Sequence, residues 1–213
     1  MAASREVRLL RSCLCYLFTC LIVTDSINLD AKFSVIKRGN TNSANTYFGF
    51  SVAQHQVLSE PVTPASTVIE NVLLVGAPKE SRLLGNRKTG GVLYRCNVRD
   101  GTESCQTIED GTSTPPTDSE LVDDQWLGVT VASQGSGKKA VACAHRYVKN
   151  NAALGICYTF MQTLDFDSIF IPCNRLSHRH YLQDFGLCQA GLSAVIGQDD
   201  AFVMGAPGSV LWQ

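Results

Sequence analysis

Charge is scarce in this chain: Asp, Glu, Lys and Arg make up only 17% of its 213 residues, and the formal net charge is −1. With no basic surplus to neutralise phosphates, nucleic acid is not an expected partner. Helical periodicity is also lacking, because no apolar pattern of period 3.6 persists beyond two turns. Beyond the N-terminal region no apolar run approaches the roughly 20 residues that a bilayer span requires, so the rest of this segment is not expected to insert in a membrane. No Asn-x-Ser/Thr sequon occurs, since the Thr of Asn86-Arg87-Lys88-Thr89 stands one place too late. What the chain has in quantity is apolar residues, at 45%, which is enough to exclude disorder as its main state.

The N-terminus has the build of a targeting segment. Arg5, Arg8 and Arg11 precede an apolar run at 13–23, and Thr24-Asp25-Ser26 offers a cleavage neighbourhood. Residues 1–26 therefore read as a signal peptide, in preference to a transmembrane anchor, for which the run is short. Three of the nine Cys (Cys13, Cys15, Cys20) lie inside it. Six remain: Cys96, Cys105, Cys143, Cys157, Cys173 and Cys188. An even number in an exported chain predicts disulfides, with about 15 connectivities open; sequential pairing is the simplest, and six buried thiols the alternative.

Short apolar or alternating runs separated by Gly, Pro, Asn, Asp and Ser predict an all-β chain. Strands are expected near 48–53, 72–76, 91–96, 127–132, 140–144, 156–160, 192–196 and 201–205, and loops at 61–67, 80–89 and 110–118. Internal repetition is the more informative feature. Tyr47-Phe48-Gly49-Phe50-Ser51-Val52-Ala53 is echoed by Trp126-Leu127-Gly128-Val129-Thr130-Val131-Ala132, and more weakly by Gln189-Ala190-Gly191-Leu192-Ser193-Ala194-Val195. Each copy is followed by an apolar strand: Leu73-Leu74-Val75-Gly76-Ala77-Pro78, then the degenerate Ala140-Val141-Ala142-Cys143-Ala144-His145, then Phe202-Val203-Met204-Gly205-Ala206-Pro207. The repeat glycines are 79 and 63 residues apart, a spacing that suits a four-stranded blade with variable loops. Pro78 and Pro207 lack a ladder donor and are expected to end their strands.

Other motifs favour plain readings. Gly135-Ser136-Gly137-Lys138-Lys139 resembles a phosphate-binding loop but lacks Gly at 132 and Ser or Thr at 139, so it reads as a hairpin turn. Cys143 with His145 would make a nucleophile and base only if the thiol were free. Cys173, His178, His180 and Cys188 lack the tight pairs of structural zinc sites and read as a disulfide around a His-bearing loop. Glu109-Asp110 and Asp123-Asp124 are expected to be solvated. No catalytic set and no metal site is assigned, and the chain is not expected to be an enzyme.

The repeat resembles the FG-GAP repeat of integrin alpha subunits, seven of which form a β-propeller. Asn28-Leu29-Asp30 is similar to the mature start of those subunits. The stretch Asp124-Gln125-Trp126-Leu127-Gly128-Val129-Thr130-Val131-Ala132-Ser133-Gln134-Gly135, with Ala142-Cys143-Ala144-His145-Arg146-Tyr147, resembles the laminin-binding subgroup. The resemblance implies an incomplete propeller over 27–213, with repeats near 43–100, 121–180 and 185–213: about three blades of seven, a fragment. It implies the sequential disulfides, and calcium loops only in later blades, absent here, hence no cofactor in this segment. A strand at 28–37 would pair into a missing blade, so the isolated chain is expected to fold poorly.

The same resemblance implies a cell-adhesion receptor subunit that pairs with an integrin beta subunit and binds extracellular matrix, with laminin favoured. It would act at the extracellular face of the plasma membrane, or be secreted or retained if expressed alone. The alternative is a secreted, non-integrin FG-GAP binding module or decoy. Phe50, next to the repeat Gly, is expected to face the beta subunit, where the family's aromatics receive a basic residue; the competing reading places it in the core. Trp126 is the second beta-facing residue, whereas Val129 and Leu192, at the position of Phe50, cannot contribute a ring.

Overall fold

In the computed structural model, which describes residues 34–39, 45–84, 86–99, 105–111, 116–175 and 186–209, the first repeat becomes an antiparallel meander. Its strands are β1 (Ser51–Leu58), β2 (Val68–Leu84), β3 (Arg87–Asn97) and β4 (Cys105–Thr107), hydrogen-bonded in the order β1-β2-β3-β4. β1 pairs Ser51 with Gly76 and Ala53 with Leu74. Alternate residues of β2 and β3 point to opposite faces, so Val72, Leu74 and Leu93 enter one core and Val75, Val92 and Tyr94 another.

The residues at 80–89 are not a loop, as their charge and polarity predict. β2 runs on to Leu84 and returns in β3 from Arg87, with Ser81 opposite Gly90 and Arg82 opposite Thr89. Pro78 does interrupt the ladder, but as an irregularity between Ala77 and Ser81 rather than a stop, because pairing resumes once the missing N–H is passed.

The second sheet repeats the plan in the order β11-β10-β7-β6. β6 is Thr130–Ser133, β7 Ala140–Ala144, β10 Ile156–Phe160 and β11 Phe166–Phe170. Every residue of β7 and β10 is buried, which explains their unbroken apolar sequences: both faces of these central strands are covered by neighbouring sheets. Between them, β8 (Val148–Lys149) and β9 (Ala152–Ala153) form a small sheet with β5 (Glu120–Leu121). β12 (Ser193–Ile196) and β13 (Phe202–Gly205) open the third copy, and Pro172–Arg175 is a short 3-10 helix.

Packing runs from sheet to sheet. Val72, Leu74 and Leu93 of the first share one core with Val131, Ile156, Tyr158 and Phe160 of the second. Val141, Cys143 and Cys157 of the second pack with Ile196, Phe202 and Met204 of the third. Full burial of each large apolar side chain stabilises by about 1.5–3 kcal/mol. The chain is all-β, a partial β-propeller of successive antiparallel sheets. Three disulfides staple it: Cys96–Cys105, Cys143–Cys157 and Cys173–Cys188.

Residues Ile36–Gln213 group as one compact unit, and of the other, Met1–Val35, only Ser34 and Val35 are described. The expected signal peptide at 1–26, with Cys13, Cys15 and Cys20, lies outside the described residues, as does most of the strand expected at 28–37; residues 34–37 carry no strand. Among the described residues, no helix is long and apolar enough to cross a membrane.

Candidate functional site

Each repeat glycine sits in the left-handed region of backbone space: φ is 87° at Gly49, 90° at Gly128 and 92° at Gly191. Two residues earlier a non-glycine does the same, with φ of 57° at Tyr47, 64° at Trp126 and 50° at Gln189. Left-handed backbone is costly for an aromatic residue and persists only where the surroundings enforce it. Here a hydrogen-bond set recurs in every copy. The amides of Gly49, Gly128 and Gly191 donate to the carbonyls of Gly76, Cys143 and Gly205, each at 3.0 Å. The residue three places further on donates back across the turn: Lys79 to Thr46 (3.1 Å), Arg146 to Gln125 (3.1 Å) and Gly208 to Cys188 (3.3 Å).

Neighbouring copies are also joined. Ser51 Oγ donates to the Gly128 carbonyl at 2.7 Å, and Thr130 Oγ1, at the same place in the second copy, to the Leu192 carbonyl at 2.8 Å. A Cβ added to Gly128 would lie 2.8 Å from Cα of Gly76, so the two backbones meet without side chains between them.

This frame gathers an aromatic cluster on one surface. Phe50 stacks on Tyr47 at 6.2 Å between ring centroids, and Trp126 meets both edge-on at 6.1 Å. Phe50 is 52% exposed and Tyr47 44%, so Phe50 is a surface residue and not part of the core. His145 approaches Trp126 at 5.8 Å. The indole N–H of Trp126 donates to Asp124 at 2.7 Å, and Arg146 pairs with the other oxygen of that carboxylate at 2.8 Å. Lys79 Nζ stands over the Tyr47 ring at 4.6 Å and the Trp126 ring at 5.4 Å, with the Arg146 guanidinium also over Trp126 at 5.4 Å. Burial lowers the pKa of His145 and the nearby Arg146 charge lowers it further, against a smaller opposing pull from Asp124.

The sequence missed Tyr47 and Lys79. Tyr47 stands two places before its glycine, as Trp126 does, and that equivalence was the available signal. Of the other corresponding residues, Val129 is buried and Leu192 is 47% exposed, with no ring from either. The remaining motifs are structural. Cys143 is oxidised, and His145 lies beyond the end of β7. Residues 134–139 turn between β6 and β7, closed by the Gln134 amide on the Lys139 carbonyl at 2.9 Å. Cys173 and Cys188 are joined, while His178 and His180 lie outside the described residues.

The expectation of solvated carboxylates fails at Asp110, which is buried and ion-paired with Arg82, the guanidinium making up for the lost water. A cavity of about 260 Å³ beside it is lined by Glu120, Gln125, Tyr147 and Tyr158. Burial raises the pKa of Tyr147, helped by its hydrogen bond to Glu120. At Glu120 burial pushes upward, but hydrogen bonds from Tyr147 and Thr117, with the Lys149 charge, outweigh it and lower the pKa to about 2.

Glycine-centred turns, stacked four-stranded sheets and local disulfides define the class: a β-propeller built of FG-GAP-type repeats. No family model matches the chain. It is similar to integrin alpha-6 of Gallus gallus (34% identical over 205 residues, 88% of this chain) and of Homo sapiens (36% over 220 residues, 94%). It is also similar to integrin alpha-3 of Mus musculus, at 31% over 226 residues and 96% of this chain. The chain belongs to the integrin alpha-subunit family over the segment it covers. That segment spans about a fifth of the relatives' length, between 18% and 20% in these three.

Proposed function

We propose that this segment is the partner-binding part of a cell-adhesion receptor subunit, and that the Tyr47–Phe50–Trp126 surface docks an integrin beta subunit. The observation that carries this reading is the exposed aromatic cluster itself. Three rings from two repeats are held together by strained turns, and two of them stand open to solvent to the extent of 44% and 52%. Aromatic faces in such a setting attract a cation from a partner, worth about 0.5–1 kcal/mol at an exposed site and more when water is excluded. Similarity to integrin alpha subunits supports the beta subunit as the partner and the extracellular face of the plasma membrane as the place.

The ligand class is extracellular matrix, with laminin favoured. That preference rests on the resemblance of 124–135 and 142–147 to the laminin-binding subgroup, and on alpha-6 and alpha-3 standing among the relatives.

The test is co-precipitation of the full-length transcript product with integrin beta subunits, comparing the native sequence with Trp126→Ala and Phe50→Ala. Loss of at least five-fold in recovered heterodimer, with the total amount of alpha chain unchanged, is the expected result, as for interface aromatics worth about 1–2 kcal/mol. Undiminished recovery in both variants would remove the cluster from the interface. Laminin adhesion by cells carrying the native product is the separate check on the ligand.

A further inference from the structure

The aromatic faces are not bare. Lys79 and Arg146 occupy the same place in successive repeats, one residue after Pro78 and His145, and the same backbone bond fixes both: Lys79 N–H to Thr46 and Arg146 N–H to Gln125, each 3.1 Å. Each cation then lies over the aromatic residue of its own repeat, Lys79 on Tyr47 at 4.6 Å and Arg146 on Trp126 at 5.4 Å. The third copy has neither member of the pair, since Gly208 follows Pro207 and Gln189 replaces the ring.

The two cations differ in how firmly they are held. Arg146 is tied to Asp124 at 2.8 Å, and Asp124 in turn accepts from the indole of Trp126, so the three form a closed set. Lys79 is exposed, and its ammonium touches only the rings of Tyr47 and Trp126 among the described residues. An ammonium on a flexible stem is readily rehydrated when it leaves.

We infer that Lys79 is a displaceable internal cap on the Tyr47 and Trp126 faces, so that a partner's cation enters the cluster only by replacing it. The inference rests on the docking surface proposed above and specifies its control. Trp126 already carries both Lys79 and Arg146 at 5.4 Å, so a further cation adds repulsion unless Lys79 leaves, and the attraction lost when Lys79 leaves is subtracted from what the incoming group gains. The cap occupies part of the Tyr47 and Trp126 faces before assembly, leaving Phe50 open, and sets a threshold that a weakly placed or uncharged partner group does not pass.

The experiment uses the full-length product co-expressed with a limiting amount of integrin beta subunit, native against Lys79→Met, which keeps the stem and removes the charge. Heterodimer yield is the readout, with Trp126→Ala run in parallel. The cap predicts two- to five-fold better pairing for Lys79→Met, the factor corresponding to one exposed cation–ring contact. Unchanged or weaker pairing while Trp126→Ala abolishes it overturns the cap and leaves the docking surface standing. Intact pairing in Trp126→Ala overturns the cap, and intact pairing in Phe50→Ala as well overturns the docking surface with it.

Discussion

His55 shows how much a single buried polar residue carries between repeats. It is 1% exposed, and both ring nitrogens are engaged by the second repeat: Nε2–H donates to the Gln162 carbonyl, and Nδ1 is hydrogen-bonded to the hydroxyl of Ser133 at the end of β6, each at 2.8 Å. Burial disfavours the charged ring and lowers the pKa below its ordinary 6.5, with nearby Arg95 adding to the effect against the Gln162 bond and Glu70. Because the folded pKa is depressed, the unfolded chain binds the extra proton first. Stability from His55 is therefore fully present above about pH 6.5 and is lost as the pH falls through that value towards the folded pKa. The urea midpoint is expected to drop between about pH 7.5 and pH 5.5, and His55→Gln to flatten most of that slope, with His145 supplying the remainder.

Gly128 is a second single-residue test: with φ of 90° and the Gly76 backbone facing it, Gly128→Ala should cost at least about 1 kcal/mol, read as a lower urea midpoint. At this scale Phe50 and Trp126 were legible because they flank repeat glycines. Lys79 was not, because a backbone bond to Thr46, 33 positions back, decides where it points.

At the scale of elements, the central strands β7 and β10 were readable from their apolar runs, but β4, β5, β8 and β9 were not. With two or three residues each, they have too little sequence to show a period and exist because a neighbour offers a ladder. Residues 80–89 misled for the opposite reason. Glu80 and Thr89 are buried, Glu80 accepting from the Tyr94 hydroxyl, but Ser81, Leu83 and Lys88 between them extend past the core and are held by the β2–β3 ladder. The disulfides belong at this scale too. Cys143 and Cys157 are direct cross-strand partners of β7 and β10, as Cys96 and Cys105 are of β3 and β4. Replacing Cys143 and Cys157 together by Ala is expected to cost about 2–4 kcal/mol of stability. Replacing Cys96 and Cys105 is expected instead to fray β4, seen as faster amide exchange at 105–107 with the second sheet unaffected, since a three-residue ladder and the adjoining Ile108 bond to Leu93 are what remain to hold that strand.

For the whole molecule, the shared core matters more than any one sheet. Leu74 and Leu93 of the first sheet and Ile156 and Phe160 of the second belong to one buried cluster. Leu74→Ala is therefore expected to lower stability by about 2–5 kcal/mol and to do so for both sheets at once. Fluorescence and far-ultraviolet circular dichroism should report a single coincident transition, and separate transitions would show that the repeats melt independently.

Between the first and second repeat glycines lie 79 residues of spacing and between the second and third 63, yet the same turn, the same return bond and the same hydroxyl link to the next copy reappear at each step. Length is thus decoupled from alignment. Beside the shared core, what fixes one unit against the next is a short motif around each repeat glycine, while the loops between the strands can grow or shrink without moving the surface those motifs present. New recognition sequence placed in such a segment, for instance at 61–67, would ride on a frame that does not register its arrival.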